Sequence, residues 1–85
     1  MAQKPETKFR AWLRPRLEMI PDSWWESIQQ KSIIGTPDII GVVVGWFVAL
    51  ELKADAHSPV SALQQLKLDR INKAGGIGLV VHPDN

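Results

Sequence analysis

The chain has no cysteine among its 85 residues, which excludes both a disulfide framework and a thiolate metal site. No apolar run approaches the roughly 20 residues needed to cross a bilayer, and the first residues lack the hydrophobic core of a signal peptide. We therefore expect an intracellular, cytoplasmic protein, which would act in the host cell if a virus encodes it.

Net charge is also scarce, at +1, and by itself does not predict a polyanionic partner. The basic residues are nevertheless concentrated near the start, in a segment predicted to be a helix from Pro5 to about Leu13, broken near Pro15. Such a segment can track phosphates with salt-dependent contacts, or it can simply be a solvated helix face. Our candidates for contacts with nucleic acid are Lys8, Arg10 and Arg14, with Lys31 and Lys67 further along the chain.

A chain of this length predicts one domain, residues 1–85, with a small core, because a small domain buries only about 60% of its unfolded surface. Four tryptophans are many for this length. We expect Phe9, Trp12 and Leu13 to form the buried face of the first helix, and the adjacent Trp24 and Trp25 to face opposite sides of a strand. A small core and many tryptophans together favour a homodimer with an apolar interface.

Two runs rich in Ile, Val and Phe, residues 35–41 and 47–53, with Gly45 between them, predict a β-hairpin. If Val44-Gly45 form its loop, counting outward places Asp38 opposite Glu51, and side-chain alternation puts Lys53 on the same face. Moving the loop by one residue would place Asp38 opposite Lys53 instead. The two carboxylates and the lysine share a face in either case.

Two carboxylates facing each other across a strand pair repel unless a positive charge lies between them. A divalent cation such as Mg²⁺ or Mn²⁺ would supply that charge, because it prefers carboxylate oxygens and substrate phosphate. Lys53 would then stand beside a metal-bound water whose lowered pKa suits attack on a phosphodiester. Each fragment alone is also typical of an exposed strand or a turn.

A helix and a strand follow the hairpin. Ser61 and Gln64 form a capping-box pattern, and Gly75-Gly76 predict the helix end. The residues from Ile77 to Val81 then predict a buried strand, so the helix crosses back over the sheet. We expect the apolar stripe of this helix to consist of Leu63, Leu66, Ile71 and Ala74.

The ordered motifs G-T-P-D-I-I-G, F-V-A-L-E-L-K and S-A-L-Q-Q-L-K-L-D-R-I-N-K-A-G-G resemble the PD-(D/E)XK nuclease superfamily. The resemblance is closest to its VRR-NUC branch of small structure-selective endonucleases, and it covers roughly residues 30 to 82. It implies a restriction-endonuclease-like α/β core with an N-terminal helix, a β-hairpin, a crossover helix and a final strand. It also implies a homodimer that cleaves branched DNA such as Holliday junctions.

The same resemblance implies the roles of individual residues. Asp38 and Glu51 would bind Mg²⁺ or Mn²⁺ with help from the backbone carbonyl of Leu52, Lys53 would be catalytic, and Gln64 would line the site. The branch also carries a glutamate on its N-terminal helix, for which Glu6 is the best match. Glu6 is equally well explained as a first-turn acid stabilised by the helix dipole.

Two other functions remain open at this point. The chain could be a nucleic-acid-binding module that kept the fold and lost catalysis, although the presence of Asp38, Glu51 and Lys53 together disfavours this. It could also be one subunit of a larger nuclease assembly, which a native mass measurement would reveal.

Overall fold

The computed structural model describes residues 4–29 and 34–85, which form two helices and a four-stranded sheet. The strands lie in the order β1-β2-β3-β4. Both β1 and β3 run antiparallel to β2, whereas β4 runs parallel to β3, so α2 is the predicted crossover. The predicted α/β architecture is therefore confirmed. In chain order the elements are α1 (Pro5–Glu18), β1 (Ser23–Ser27), β2 (Ile39–Val43), β3 (Trp46–Leu52), α2 (Ala62–Lys73) and β4 (Ile77–Val81).

The hairpin of β2 and β3 has the predicted loop, because Val43 pairs with Trp46 across Val44-Gly45. Both loop residues have positive φ, +48° at Val44 and +87° at Gly45, as a two-residue type I′ turn requires. Glycine tolerates this conformation, but a β-branched residue is strained in it. Val44 is also 70% exposed, so little packing compensates for the strain.

The main core lies between α1 and one face of the sheet. Phe9 and Leu17 of α1 are buried there with Leu13 beside them, so every fourth residue of the helix faces the sheet. The prediction that Trp12 is buried is wrong: it is 53% exposed and stacks on Phe9 with ring centroids 6.2 Å apart. On the sheet, the core consists of Trp25, Ile39, Val48, Leu50 and Leu52.

Helix α1 does not break at Pro15, contrary to the prediction, but continues to Glu18. Proline has no N–H for the carbonyl four residues earlier, and its ring crowds the carbonyls of the preceding turn. The guanidinium of Arg16 donates to the carbonyl oxygen of Trp12 at 2.6 Å, which satisfies one carbonyl of that turn. Burial of Leu17 beyond the proline gives the helix a reason to continue.

The two adjacent tryptophans of β1 face opposite sides, as predicted: Trp25 is buried and Trp24 is exposed. Trp25 lies directly over Gly41 of β2, its partner in the sheet. A Cβ atom at Gly41 would overlap both the Trp25 ring and the carbonyl oxygen of Trp24. The glycine therefore allows β1 to pack against the strand that leads from Asp38.

Helix α2 has the predicted capping box between Ser61 and Gln64, and it ends at Lys73, shortly before Gly75, whose φ is +99°. The predicted apolar stripe is wrong, however, because Leu63 and Leu66 are exposed and the buried residue is Leu68. Leu68 lies four residues after Gln64 and packs where Gly78 of β4 leaves room for the helix. Neither α1 nor α2 is long and apolar enough to span a membrane.

Strand β4 is an edge strand on which Leu79 is exposed, rather than the buried strand that was predicted. Two asparagine amides cover its outer edge. Asn72 accepts from the backbone N–H of Gly78 at 2.8 Å and donates to its carbonyl at 3.1 Å. Asn85 accepts from His82 at 3.0 Å and donates to Val80 at 3.2 Å, so the amides take the place of a fifth strand.

Candidate active site

The predicted site residues meet where β2 begins and β3 ends. Asp38 immediately precedes β2, Glu51 and Leu52 are the last residues of β3, and Lys53 follows. Asp38 is only 2% exposed and Glu51 only 3%, which is unusual for acidic side chains. Buried carboxylates of this kind need specific partners, and the structure shows several of them.

The regular ladder between β2 and β3 ends at the pair Ile39–Leu50 and does not include the adjacent Asp38. The backbone N–H of Asp38 donates to Leu50 of β3 at 3.0 Å, while its carbonyl accepts from Ile28 on the β1 side at 2.8 Å. In a regular strand both groups would point to the same neighbour, so Asp38 lies at a bulge-like irregularity. The predicted direct pairing of Asp38 with Glu51 is therefore wrong in detail.

The irregularity directs the Asp38 carboxylate to the end of β3. Its Oδ2 accepts the backbone N–H of Leu52 at 2.8 Å, in a buried hydrogen bond. If the ladder continued, residue 37 would be opposite Leu52. Residue 37 is proline, which has no N–H to donate to the Leu52 carbonyl oxygen. The side chain of Asp38 and the carbonyl of Leu52 therefore both lie at the end of β3.

Glu51, Lys53 and Gln64 form a connected polar cluster. Gln64 donates through Nε2 to Glu51 Oε2 at 3.1 Å and accepts through Oε1 from Lys53 Nζ at 3.0 Å. Lys53 Nζ also lies 3.7 Å from Glu51 Oε2. The capping box of α2 fixes Gln64 at the same time, because Oε1 accepts the backbone N–H of Ser61 at 3.0 Å. The helix start thus positions the side chains of the strand end.

The sequence predicted two carboxylates that repel unless a positive charge lies between them, and the chain itself supplies positive charge to both. Arg10 of α1 lies with Nη2 at 3.2 Å from Asp38 Oδ1, and Lys53 is beside Glu51. Sequence reasoning considered Arg10 only as a phosphate contact. The Arg10–Asp38 pair joins residues 28 positions apart, and no local pattern signals it.

Comparison with known structures identifies the fold. A solved structure described as a VRR_NUC domain superposes with a TM-score of 0.80, covering 94% of this chain and 86% of that chain at 20% sequence identity. This chain has the fold of a VRR-NUC domain. No protein-family model matches the sequence, and no curated protein matches it either. The VRR-NUC resemblance of the motifs thus has a counterpart in the whole architecture.

In this VRR-NUC fold the remaining predicted residues take different places. Lys8 is exposed on α1, and Arg14 pairs with Glu18 at 3.1 Å. Lys67 Nζ donates to the backbone carbonyl of Ile34 at 2.6 Å, which ties α2 to the segment that precedes Asp38. Lys31 lies outside the described residues. The roles of these residues toward nucleic acid stay predictions.

The donor set at the strand ends fits a small divalent cation in kind. Mg²⁺ is typically bound by one or two carboxylates together with waters and substrate phosphate, and Asp38 and Glu51 offer two carboxylates. Across residues 4–29 and 34–85, no group of three or more His, Cys, Asp or Glu side chains is arranged to hold a metal ion. Glu6 lies in the first turn of α1, one turn before Arg10, and its role as a ligand stays a prediction.

A tight turn follows Lys53 and leads the chain back to α2. The carboxylate of Asp55 accepts the backbone N–H of His57 at 2.8 Å and the hydroxyl of Ser58 at 3.2 Å. The hydrogen bond from His57 is the main reason that the pKa of Asp55 is lower than its ordinary value. This turn therefore stays formed with Asp55 ionised, and its polar groups are satisfied locally.

Proposed function

We propose that this protein is a metal-dependent endonuclease that hydrolyses phosphodiester bonds in DNA. The observation that carries the proposal is the convergence of buried Asp38 and Glu51 at adjoining strand ends, with Lys53 hydrogen-bonded to Gln64 beside them. The VRR-NUC fold supports the same conclusion. The substrate that we assign, branched DNA such as a Holliday junction, follows from the resemblance of the motifs.

Asp38, Glu51 and the backbone carbonyl of Leu52 would hold Mg²⁺ or Mn²⁺, and Glu6 is a further candidate ligand. When bound, such a cation lowers the pKa of a water ligand and stabilises charge on the phosphate that is attacked. The chain's own contribution is to hold these oxygen ligands in place. The Leu52 N–H fixes Asp38, and the Gln64 amide fixes Glu51.

Lys53 is the group that we assign to the attacking water. Its ammonium has three donors, and two face Gln64 and Glu51, so the third is assigned to the water or to a phosphate oxygen. Its side chain is mostly buried, which strengthens its electrostatic effect on developing negative charge. Gln64 acts through Lys53 and Glu51 by keeping both in one orientation, so it is a positioning residue.

We assign the DNA backbone to the basic side chains of α1, which are Lys8, Arg10 and Arg14, and to Lys31 and Lys67. Lys8 is exposed and available for such contacts. Arg10 and Arg14 lie one turn apart on the same side of α1, and Arg10 connects that side to the site through Asp38. Phosphate contacts of this kind give affinity without sequence preference, as expected for an enzyme that selects a DNA shape.

We also propose that the protein acts as a homodimer. Trp12, Trp24 and Trp46 are each more than half exposed, an excess of apolar surface for so small a domain. Pairing through the outer edge of β4 is disfavoured, because Asn72 and Asn85 already occupy its backbone groups. The expected interface is therefore made by side chains of exposed faces. Two copies would bring two sites to a symmetric junction.

The test is cleavage of labelled junction, flap and linear DNA by the wild type and by Lys53→Ala, with Mg²⁺ and with Mn²⁺. We expect the variant to lose at least about 100-fold in cleavage rate while it still folds and binds the junction. Lys73→Ala is the matched control, because Lys73 is exposed at the far end of α2 from Gln64. We expect this control to cleave normally.

Wild-type cleavage rates in Lys53→Ala would contradict the assigned role of this lysine. Binding of junction DNA by the wild type without cleavage in either metal would instead support an inactive binding module. Equal rates on junction and linear DNA would leave the nuclease intact and remove its proposed selectivity.

A further inference from the structure

We propose that Arg10 is an exchangeable internal cation that couples metal binding to DNA binding. It pairs with Asp38 when no metal is bound, and it moves to a DNA phosphate when a divalent cation takes its place on Asp38. This inference rests on the proposed function, because it assumes that Asp38 is a metal ligand and DNA the substrate.

The position of Arg10 supports an exchangeable role. Its Nη2 is 3.2 Å from Asp38 Oδ1, but its side chain is 33% exposed, whereas that of Asp38 is 3% exposed. The guanidinium therefore lies between solvent and the carboxylate. Its Nε is buried and makes no hydrogen bond to any residue in the described part of the chain. Arg14 also has a buried nitrogen without such a bond, Nη1, so what distinguishes Arg10 is that its partner is the buried carboxylate of Asp38.

A divalent cation would meet Arg10 directly. Oδ2 of Asp38 already accepts the N–H of Leu52 at 2.8 Å, so Oδ1 is the oxygen turned toward the guanidinium. A divalent ion and a guanidinium on one carboxylate oxygen would be only a few ångströms apart, and their repulsion is strong away from bulk water. Arg10 can leave because it is partly solvated, whereas Lys53 is held by Gln64.

A phosphate is the natural new partner of the displaced side chain. The guanidinium offers parallel donors that match phosphate oxygens, and it stays charged at any working pH. Arg10 is partly exposed directly beside Asp38, so a DNA strand that enters the site would pass within its reach. Metal would then raise the affinity for DNA, and DNA would raise the affinity for metal by the same factor.

The first experiment measures metal binding without DNA, by calorimetric titration of Mg²⁺ and Mn²⁺ into the wild type, Arg10→Gln and Arg14→Gln. Arg14 is a matched control: it lies one turn further along α1, is similarly exposed at 28%, and pairs with Glu18 instead. We expect Arg10→Gln to bind either metal about tenfold tighter, within the usual range for coupled sites. Arg14→Gln should bind metal as the wild type does. Unchanged or weaker metal affinity in Arg10→Gln would overturn the inference.

The second experiment measures the gain in DNA affinity on adding metal, in a Lys53→Ala background so that the junction stays uncut. We expect the gain to be about fivefold or more smaller in Arg10→Gln than in the parent. Arg14→Gln should lower affinity equally with and without metal and keep the gain. An equal gain in the parent and Arg10→Gln would count against the exchange.

A measurement on the wild type covers the case in which Arg10→Gln does not fold. The side-chain NMR signals of Arg10 should shift or broaden when metal is added without DNA, and unchanged signals would contradict its release. Failure of the wild type to bind either metal would overturn the proposed function and this inference together. Normal metal binding and cleavage, with Arg10→Gln behaving like the wild type, would overturn this inference alone.

Discussion

Gln64 has two structural roles that a pair of variants can separate. As part of the capping box it accepts the Ser61 N–H, and as part of the site it donates to Glu51 and accepts from Lys53. Gln64→Ala removes both roles. Ser61→Ala removes only the capping hydroxyl that accepts the Gln64 N–H at 3.1 Å, and leaves the Gln64 side chain in place.

The expected costs differ because the partners differ. Loss of a serine N-cap costs about 1 kcal/mol of the free energy of unfolding. Gln64→Ala loses the exposed bond to Ser61, worth about 0.5 kcal/mol, and a part-buried bond to the Glu51 carboxylate, worth about 1.5–3 kcal/mol. With the weakened hold on Lys53, the total for Gln64→Ala comes to about 3 kcal/mol.

Thermal unfolding without metal measures these costs directly. For a domain of this size each kcal/mol corresponds to a change in Tm of about 4–8 °C. Ser61→Ala should therefore lower Tm by about 4–8 °C, and Gln64→Ala by about 12–24 °C. Cleavage should separate the two variants in the same way. At temperatures where both variants are folded, Ser61→Ala should cleave DNA and Gln64→Ala should not.

The result that would refute this reasoning is an equal loss of stability in the two variants, within about 0.5 kcal/mol. Gln64 would then be a cap only, and its contacts with Glu51 and Lys53 would contribute nothing measurable. Full cleavage by Gln64→Ala would refute its positioning role independently of the melts.

Two further predictions concern the hairpin turn and the oligomeric state. Val44→Asn should raise Tm by a few degrees, because asparagine tolerates the φ of +48° and the exposed valine packs little. The expected gain in the free energy of unfolding is about 0.5–1 kcal/mol. A lower Tm in thermal melts would show that the valine is not strained. Sedimentation at micromolar concentration should give a homodimer, because three tryptophans are largely exposed, and a stable monomer would contradict both the dimer and symmetric cleavage.

The hairpin register was predictable because short-range rules determine it. The two-residue loop sets the pair Val43–Trp46, and strand alternation then carries the count outward to Leu50. The count fails only at Asp38, where a side chain competes with the backbone for the N–H of Leu52. Competition of this kind depends on which carboxylate is near which strand end, and no periodic pattern contains that information.

The helices show a different limit. The apolar pattern of α2 predicted a buried stripe through Leu63 and Leu66. The structure instead has the phase in which Leu68 approaches Gly78 while Gln64 faces Glu51. Pro15 predicted a break in α1 from local chemistry alone, but burial of Leu17 after it outweighs the lost hydrogen bond. In both cases tertiary packing overrides the local preference of the chain.

The site depends on few side chains because much of its geometry comes from the backbone. Asp38 is held through the backbone of Leu50 and Leu52, Lys67 through the carbonyl of Ile34, and the edge of β4 through the backbone of Gly78. Backbone groups are the same whatever the residue, so surrounding positions can change while the strand ends still meet. Such backbone contacts are compatible with the likeness of fold to the VRR_NUC domain at 20% sequence identity. The Arg10–Asp38 pair and the contacts among Glu51, Lys53 and Gln64 are made by side chains alone. Arg10 is more exposed than Lys53, so it is the cation of the site that can most readily be exchanged.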